Sequence, residues 1–162
     1  MTPHQFYNKY VHIDMDEMVS LINCPTADNP YNKMYTVRHL GNVVGGDIVK
    51  YLNVDIATLK DATIKAIKDG NPVWFGCDVG KMLYRDVGIM DTRMFEYDKL
   101  LGTTFGMNKS ERVDYGDSLM THAMVFTGVN LLKDKSTKWK VENSWSDKVG
   151  DKGFFVMSDD WF

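Results

Sequence analysis

The sequence predicts an α+β domain in which helices come early and an antiparallel sheet comes late. Three observations carry that expectation. Residues 56–69 repeat apolar side chains at helical spacing. Three runs of β-forming residues crowd the last stretch of the chain, at 122–129, 137–143 and 153–158. The polar turns between those runs are too short to hold a crossover helix, which favours antiparallel pairing.

Thr2 followed by Pro3 reads as an N-cap with proline at the first helical position, so a short helix is expected through about Tyr10. Residues 15–23, MDEMVSLIN, are expected to add a helical turn or two. Pro25, Asn29 and Pro30 break the chain, and MYTVRHL at 34–40 reads as a strand. In the 56–69 helix, Ile56, Leu59, Thr63, Ala66 and Ile67 form the apolar stripe, Asp55 caps the front and Gly70 stands at C′. Pro72 prevents continuation, and VWFGC at 73–77 reads as a buried strand with Trp74 and Phe75 in the core. Residues 78–117 read as a long loop carrying short helices.

Composition fits one globular core: 162 residues, 44% apolar and 25% charged. A net charge of −3 argues against a strongly basic nucleic-acid surface. No apolar run approaches the roughly 20 residues of a membrane span. The opening MTPHQFYNKY lacks a secretory apolar core, and the two cysteines show no CxxC spacing. Two thiols in a reducing compartment, the cytoplasm, are expected. GNVVGGD at 41–47 matches neither glycine-rich phosphate-binding pattern, and its glycines read as turns. His12, Asp14 and Asp16 can be drawn as metal ligands but read better as solvated polar residues. The eleven methionines read as core filler, and KDKSTK at 133–138 as a solvated hairpin turn.

Two stretches carry chemistry. THAMVFTGV at 121–129 starts an apolar strand with His122, and VENSW at 141–145 sets Asn143 beside Trp145. Singly, each polar residue has an ordinary reading: a histidine satisfied by a backbone carbonyl, an asparagine at a turn. Together they say more. If their strands are antiparallel neighbours, the start of one lies beside the end of the other. The Asn143 oxygen can then accept from one imidazole nitrogen, which fixes the tautomer and leaves the other nitrogen free. Trp145 can keep water off that bond. A histidine oriented by an asparagine is the base half of a Cys-His-Asn peptidase.

MTHAMVFTGV, KWKVENSW and GDKGFFVMSDDWF, with MVSLINCPT and NPVWFGCDVGK upstream, resemble the papain-like cysteine peptidases. Within them the chain is most similar to the branch of bleomycin hydrolase and bacterial aminopeptidase C. The resemblance implies a papain-like fold, with His122 as catalytic base and Asn143 as its orienting residue. It also implies peptide substrates with free amino termini, homohexameric rings, and no metal or organic cofactor.

The sequence departs from that pattern at the nucleophile. In papain-like enzymes the histidine follows its cysteine by roughly 130–150 residues. Here only 121 residues precede His122, and Gln5, the sole glutamine, heads no Cys-Trp segment. Cys24, followed by Pro25, and Cys77, at the end of a strand, both read as structural or incidental thiols. Residues 1–162 are therefore expected to form a single partial domain, the C-terminal portion of such a peptidase. Alone it is expected to be inactive, to show an exposed apolar patch, and to need a cysteine-bearing half as partner. The alternative is a non-catalytic binding or scaffold protein that keeps His122 and Asn143 as relics. A chain end on Trp161-Phe162 is expected to be a boundary within something longer. Ser146 stands where the family commonly has glycine, which is expected to add strain if that position needs a positive φ.

Overall fold

The computed structural model of the protein describes residues 1–11, 13–14, 17–41 and 43–162. Helix α1 spans Pro3–Tyr10, and Thr2 caps it as expected: its Oγ1 accepts from the Gln5 N–H while the Gln5 side chain accepts from the Thr2 N–H. A small sheet follows, ordered β1 (Leu21–Ile22), β3 (Tyr51–Asn53), β2 (Met34–Tyr35). Helix α2 is Ile56–Lys68, capped by Asp55 on the Thr58 N–H and ended by Gly70 at φ 85°.

The main sheet has six strands. In chain order they are β4 (Val73–Cys77), β5 (Leu83–Tyr84), β6 (Ile89–Met90), β7 (His122–Leu132), β8 (Lys135–Glu142) and β9 (Phe154–Ser158). Their spatial order is β4-β7-β8-β9-β6-β5, antiparallel except for the parallel β6–β9 pair. Two short helices, α3 (Tyr97–Leu101) and α4 (Lys109–Asp114), lie between β6 and β7. The expected α+β class holds.

Alternation along β7, β8 and β9 builds the core. Met124 and Phe126, Trp139 and Val141, and Phe155 and Met157 point to one face and are buried together with Met90 and Val79. Phe126 lies at its centre, stacked on Phe75 at 3.8 Å and on Phe162 at 5.1 Å between ring centroids. Burying side chains of this size contributes about 1.5–3 kcal/mol each. On α2, Ile64 and Ile67 pack against the same cluster.

Several expectations need correction. Trp74 is not in the core: it is 75% exposed, because β4 is an edge strand with one packed face and period 2 turns Trp74 away from Phe75. The helix expected over 15–23 is replaced near its end by β1, which pairs in parallel with β3; a ladder formed with a distant strand overrode local propensity. Met15 and Asp16 lie outside the described residues. The strand expected over 34–40 is only Met34–Tyr35, and His39 at φ 62° makes the following turn. β3 gave no signal in the sequence. It is fixed by Asn53, fully buried, whose side chain accepts from the Cys24 N–H and donates to the Cys24 and Asn29 carbonyls.

Asp159, the residue after β9, ties the end of that strand to α2 and β8. Its carboxylate accepts from Lys60 Nζ of α2, from Ser136 Oγ and from Trp139 Nε1 of β8. Burial by itself would raise its pKa; the hydrogen bonds from Lys60, Ser136 and Trp139 outweigh burial and hold it below the ordinary carboxylate value. A depressed folded-state pKa gives stability that is complete above the unfolded value, near pH 4, and is lost as pH falls through the folded one. Asp159→Asn is expected to cost about 1–3 kcal/mol at pH 7 in urea denaturation and to flatten the loss of stability below about pH 4.

Candidate active site

Where β7 and β8 pair, Val125 lies opposite Glu142 and Phe126 opposite Val141. Continued by one residue, that register sets Asn143, the residue after β8, beside Met124, so His122 at the start of β7 is its diagonal neighbour on the same face. Asn143 is held by its own N–H, which donates to the Gly153 carbonyl at 2.9 Å. Its Oδ1 lies 2.8 Å from the Ser144 N–H and 2.9 Å from His122 Nε2. A backbone N–H can only donate, so the shared atom is the amide oxygen and His122 Nε2 must donate to it as well. In the neutral ring Nδ1 then carries the lone pair. The sequence-predicted pair is thus brought together in the arrangement that frees one nitrogen.

Trp145 stacks on the imidazole, with centroids 4.8 Å apart and planes at 29°. Phe155 makes a T-shaped contact with the indole, with centroids 5.9 Å apart and planes at 69°, which links the pair to the core. The loop from Ser146 to Gly153 closes tightly over Phe155. At Gly150, φ is 65°, and a Cβ there would meet the Phe154 carbonyl at 2.6 Å and the Phe155 ring at 2.7 Å. Arg85 was not legible in the sequence as part of this site; its Cζ lies 5.2 Å over the Trp145 ring centroid. Nothing short of the tertiary contact marks it.

The cysteines are placed differently. Cys77 is the direct cross-strand partner of His122 and shares the packed face of β4. Burial first, and the neighbouring Asp78 carboxylate second, push its thiol up to about 12. The thiolate is the nucleophilic form, so Cys77 is held inert at neutral pH despite lying beside the histidine. Cys24 follows β1 of the smaller sheet, bonded through its backbone to the Asn53 side chain, with its sulfur 3.7 Å from Thr26 Oγ1. Among the described residues no group of three or more His, Cys, Asp or Glu is arranged to hold a metal ion. His12 and Asp16 lie outside the described residues. No helix among the described residues is long and apolar enough to cross a membrane.

Ser146 sits at φ 84°, the left-handed region that favours glycine. Its side chain offsets part of that strain: Oγ donates to Asp147 Oδ1 at 3.0 Å and accepts from the Lys148 N–H at 3.2 Å.

Comparison with known proteins places these features in a family. Residues 1–162 match the Peptidase C1-like family. The chain is 51% identical to aminopeptidase C of Lactobacillus delbrueckii subsp. lactis over 162 residues, covering 100% of this chain and 36% of that protein. It is 48% identical to bleomycin hydrolase of Gallus gallus over 168 residues, covering 100% of this chain and 37% of that protein. The crystal structure of PepW from Lactobacillus rhamnosis HN001 superposes with a TM-score of 0.97 at 58% identity, again covering 100% of this chain and 36% of the other. The chain therefore spans little more than a third of the length of the relatives it matches.

Two outcomes follow from the site geometry. Folded protein treated with iodoacetamide at pH 8 is expected to leave Cys77 unmodified by peptide mass mapping, with alkylation appearing only after denaturation; rapid labelling in the folded state would show the thiol to be accessible and ionisable. Ser146→Ala keeps the strained φ and loses both Oγ bonds, so it is expected to cost about 1 kcal/mol. Ser146→Gly relieves the strain as it loses those bonds, and is expected to stay within about 0.5 kcal/mol of the parent in urea melts.

Proposed function

The chain belongs to the Peptidase C1-like family, and from that premise we propose that residues 1–162 are the histidine- and asparagine-bearing portion of a cysteine aminopeptidase of the aminopeptidase C and bleomycin hydrolase type. One observation carries the reading. His122 Nε2 donates to Asn143 Oδ1 at 2.9 Å under the stacked ring of Trp145, which leaves Nδ1 free as a base.

In this account the nucleophilic cysteine comes from another segment of a longer protein, as the 36% coverage of the relatives suggests. His122 Nδ1 takes the thiol proton, and the thiolate attacks the peptide carbonyl. The imidazolium then returns the proton to the leaving amine as the C–N bond breaks, and water hydrolyses the thioester with Nδ1 again accepting a proton. Asn143 acts by holding the ring in the tautomer that each step needs. The route uses no metal or organic cofactor. Substrates are peptides with free amino termini, the compartment is the cytoplasm, and the assembled enzyme is a homohexamer, as in the family the chain resembles.

The surface beside β7 supports a covering segment. Trp74 is 75% exposed on the outer face of β4, and Met120, 64% exposed, packs on the same face so closely that a Cβ on Gly76 would lie 2.5 Å from its sulfur. Asn143 Nδ2 is buried without a hydrogen-bond partner among the described residues, a cost that an acceptor from that segment would remove.

The test is to mix this chain with a separately produced cysteine-bearing segment and assay release of amino-terminal residues. Activity is expected on mixing. His122→Ala should lower it by about 10²–10⁴-fold, and Asn143→Ala by less, since a residue that orients the base leaves the base in place. A well-folded complex with no activity would contradict the proposal and favour a non-catalytic binding role.

A further inference from the structure

Arg85 follows β5 and is exposed, and its guanidinium lies over the indole on which His122 stacks. The ion pairs among the described residues are formed by Lys60, Lys65, Lys81, Arg93 and Lys99, and none involves Arg85. The contrast with Arg93 is instructive, because that guanidinium is held by Asp91 through two bonds, from Nε at 3.0 Å and from the terminal nitrogen at 2.9 Å. Arg85 instead has a π-face beneath it, and among the described residues no carboxylate claims its hydrogen-bonding fork.

Its position matters because of what His122 does in the proposed reaction, on which this inference rests. The histidine must deliver its proton to the leaving amine. In that reaction the residue carrying the amine lies against His122, and the nearest aromatic surface is Trp145, whose ring contacts the imidazole and the guanidinium alike. We propose that Arg85 is a specificity-determining residue that favours substrates with a carboxylate on the leaving side of the cleaved bond. A planar guanidinium is suited to donate two parallel N–H bonds to a carboxylate, and the indole below it shields one of its faces from water. The carboxylate has two sources: the free terminus of a dipeptide, or an acidic side chain just after the bond in a longer peptide.

The test measures kcat/KM of the chain assembled with its cysteine-bearing segment on three substrates of matched size. These are Ala-Ala with a free carboxylate, Ala-Ala amide, and Ala-Asp amide. At low salt, at least one anionic substrate is expected to exceed Ala-Ala amide by about fivefold, with the advantage shrinking at high ionic strength. Which one does so identifies the source of the carboxylate. Arg85→Gln should bring the ratio close to one, and Arg85→Glu should invert it. Wild-type enzyme without a preference would overturn the proposal. So would variants that lose activity on all three substrates in proportion, since Arg85 would then only support Trp145. A wild-type assembly inactive on every substrate would remove the peptidase reading, and this inference with it.

Discussion

The antiparallel pairing of β7 with β8 is the constraint on which the rest of the structure depends. Val125 opposite Glu142 and Phe126 opposite Val141 set the register. Period 2 then sends Met124, Phe126, Trp139 and Val141 to one face and closes the core. The same register makes the first residue of β7 the diagonal neighbour of the residue that follows β8. A slip of one residue would turn the core side chains outward and separate His122 from Asn143 at once. Core and site are two consequences of one ladder, so selection for a packed core also fixes the site geometry.

The site lies at the end of that ladder and draws its rigidity from the core rather than from its own polar bonds. Trp145 connects the two: one contact is with the imidazole and another with Phe155, which is buried. The loop that carries Trp145 is held down by a glycine that no larger residue could replace without moving Phe155. At Ser146 the chain accepts a strained backbone and recovers part of the cost through two local hydrogen bonds. Cys77 illustrates the opposite outcome. It directly opposes His122, yet burial holds it as a neutral thiol. Proximity to a base does not make a nucleophile where the charged form is desolvated.

Much of this was legible in the sequence wherever local chemistry decided the outcome. Thr2 and Asp55 announce their helices because an N-cap is a local bond, and α1 and α2 begin where they direct. His122 and Asn143 were legible as a pair because short turns leave β7 and β8 no alternative to pairing as neighbours. The hairpin tip falls within the expected 133–138 stretch, at Lys133 and Asp134, although both adopt positive φ without a glycine to signal it. What remained hidden depends on distant partners. β1 depends on pairing with β3, and β3 on β1, β2 and the bonds of Asn53; Leu21-Ile22 alone reads equally well as helix. Trp74 looked like core because the run around it is apolar; its exposure follows from β4 being an edge strand, a property of the whole sheet. Arg85 reaches the site through a ring contact with no counterpart in sequence spacing.

The central claim is that Asn143 fixes the tautomer of His122 and leaves Nδ1 as the free base. Nitrogen-15 NMR of the histidine ring in the neutral form tests this most directly. The account predicts one dominant species with the proton on Nε2, slow exchange of that proton with solvent, and loss of both features in Asn143→Ala. A dominant Nδ1–H tautomer, or a pattern unaffected by removing the Asn143 side chain, would contradict it.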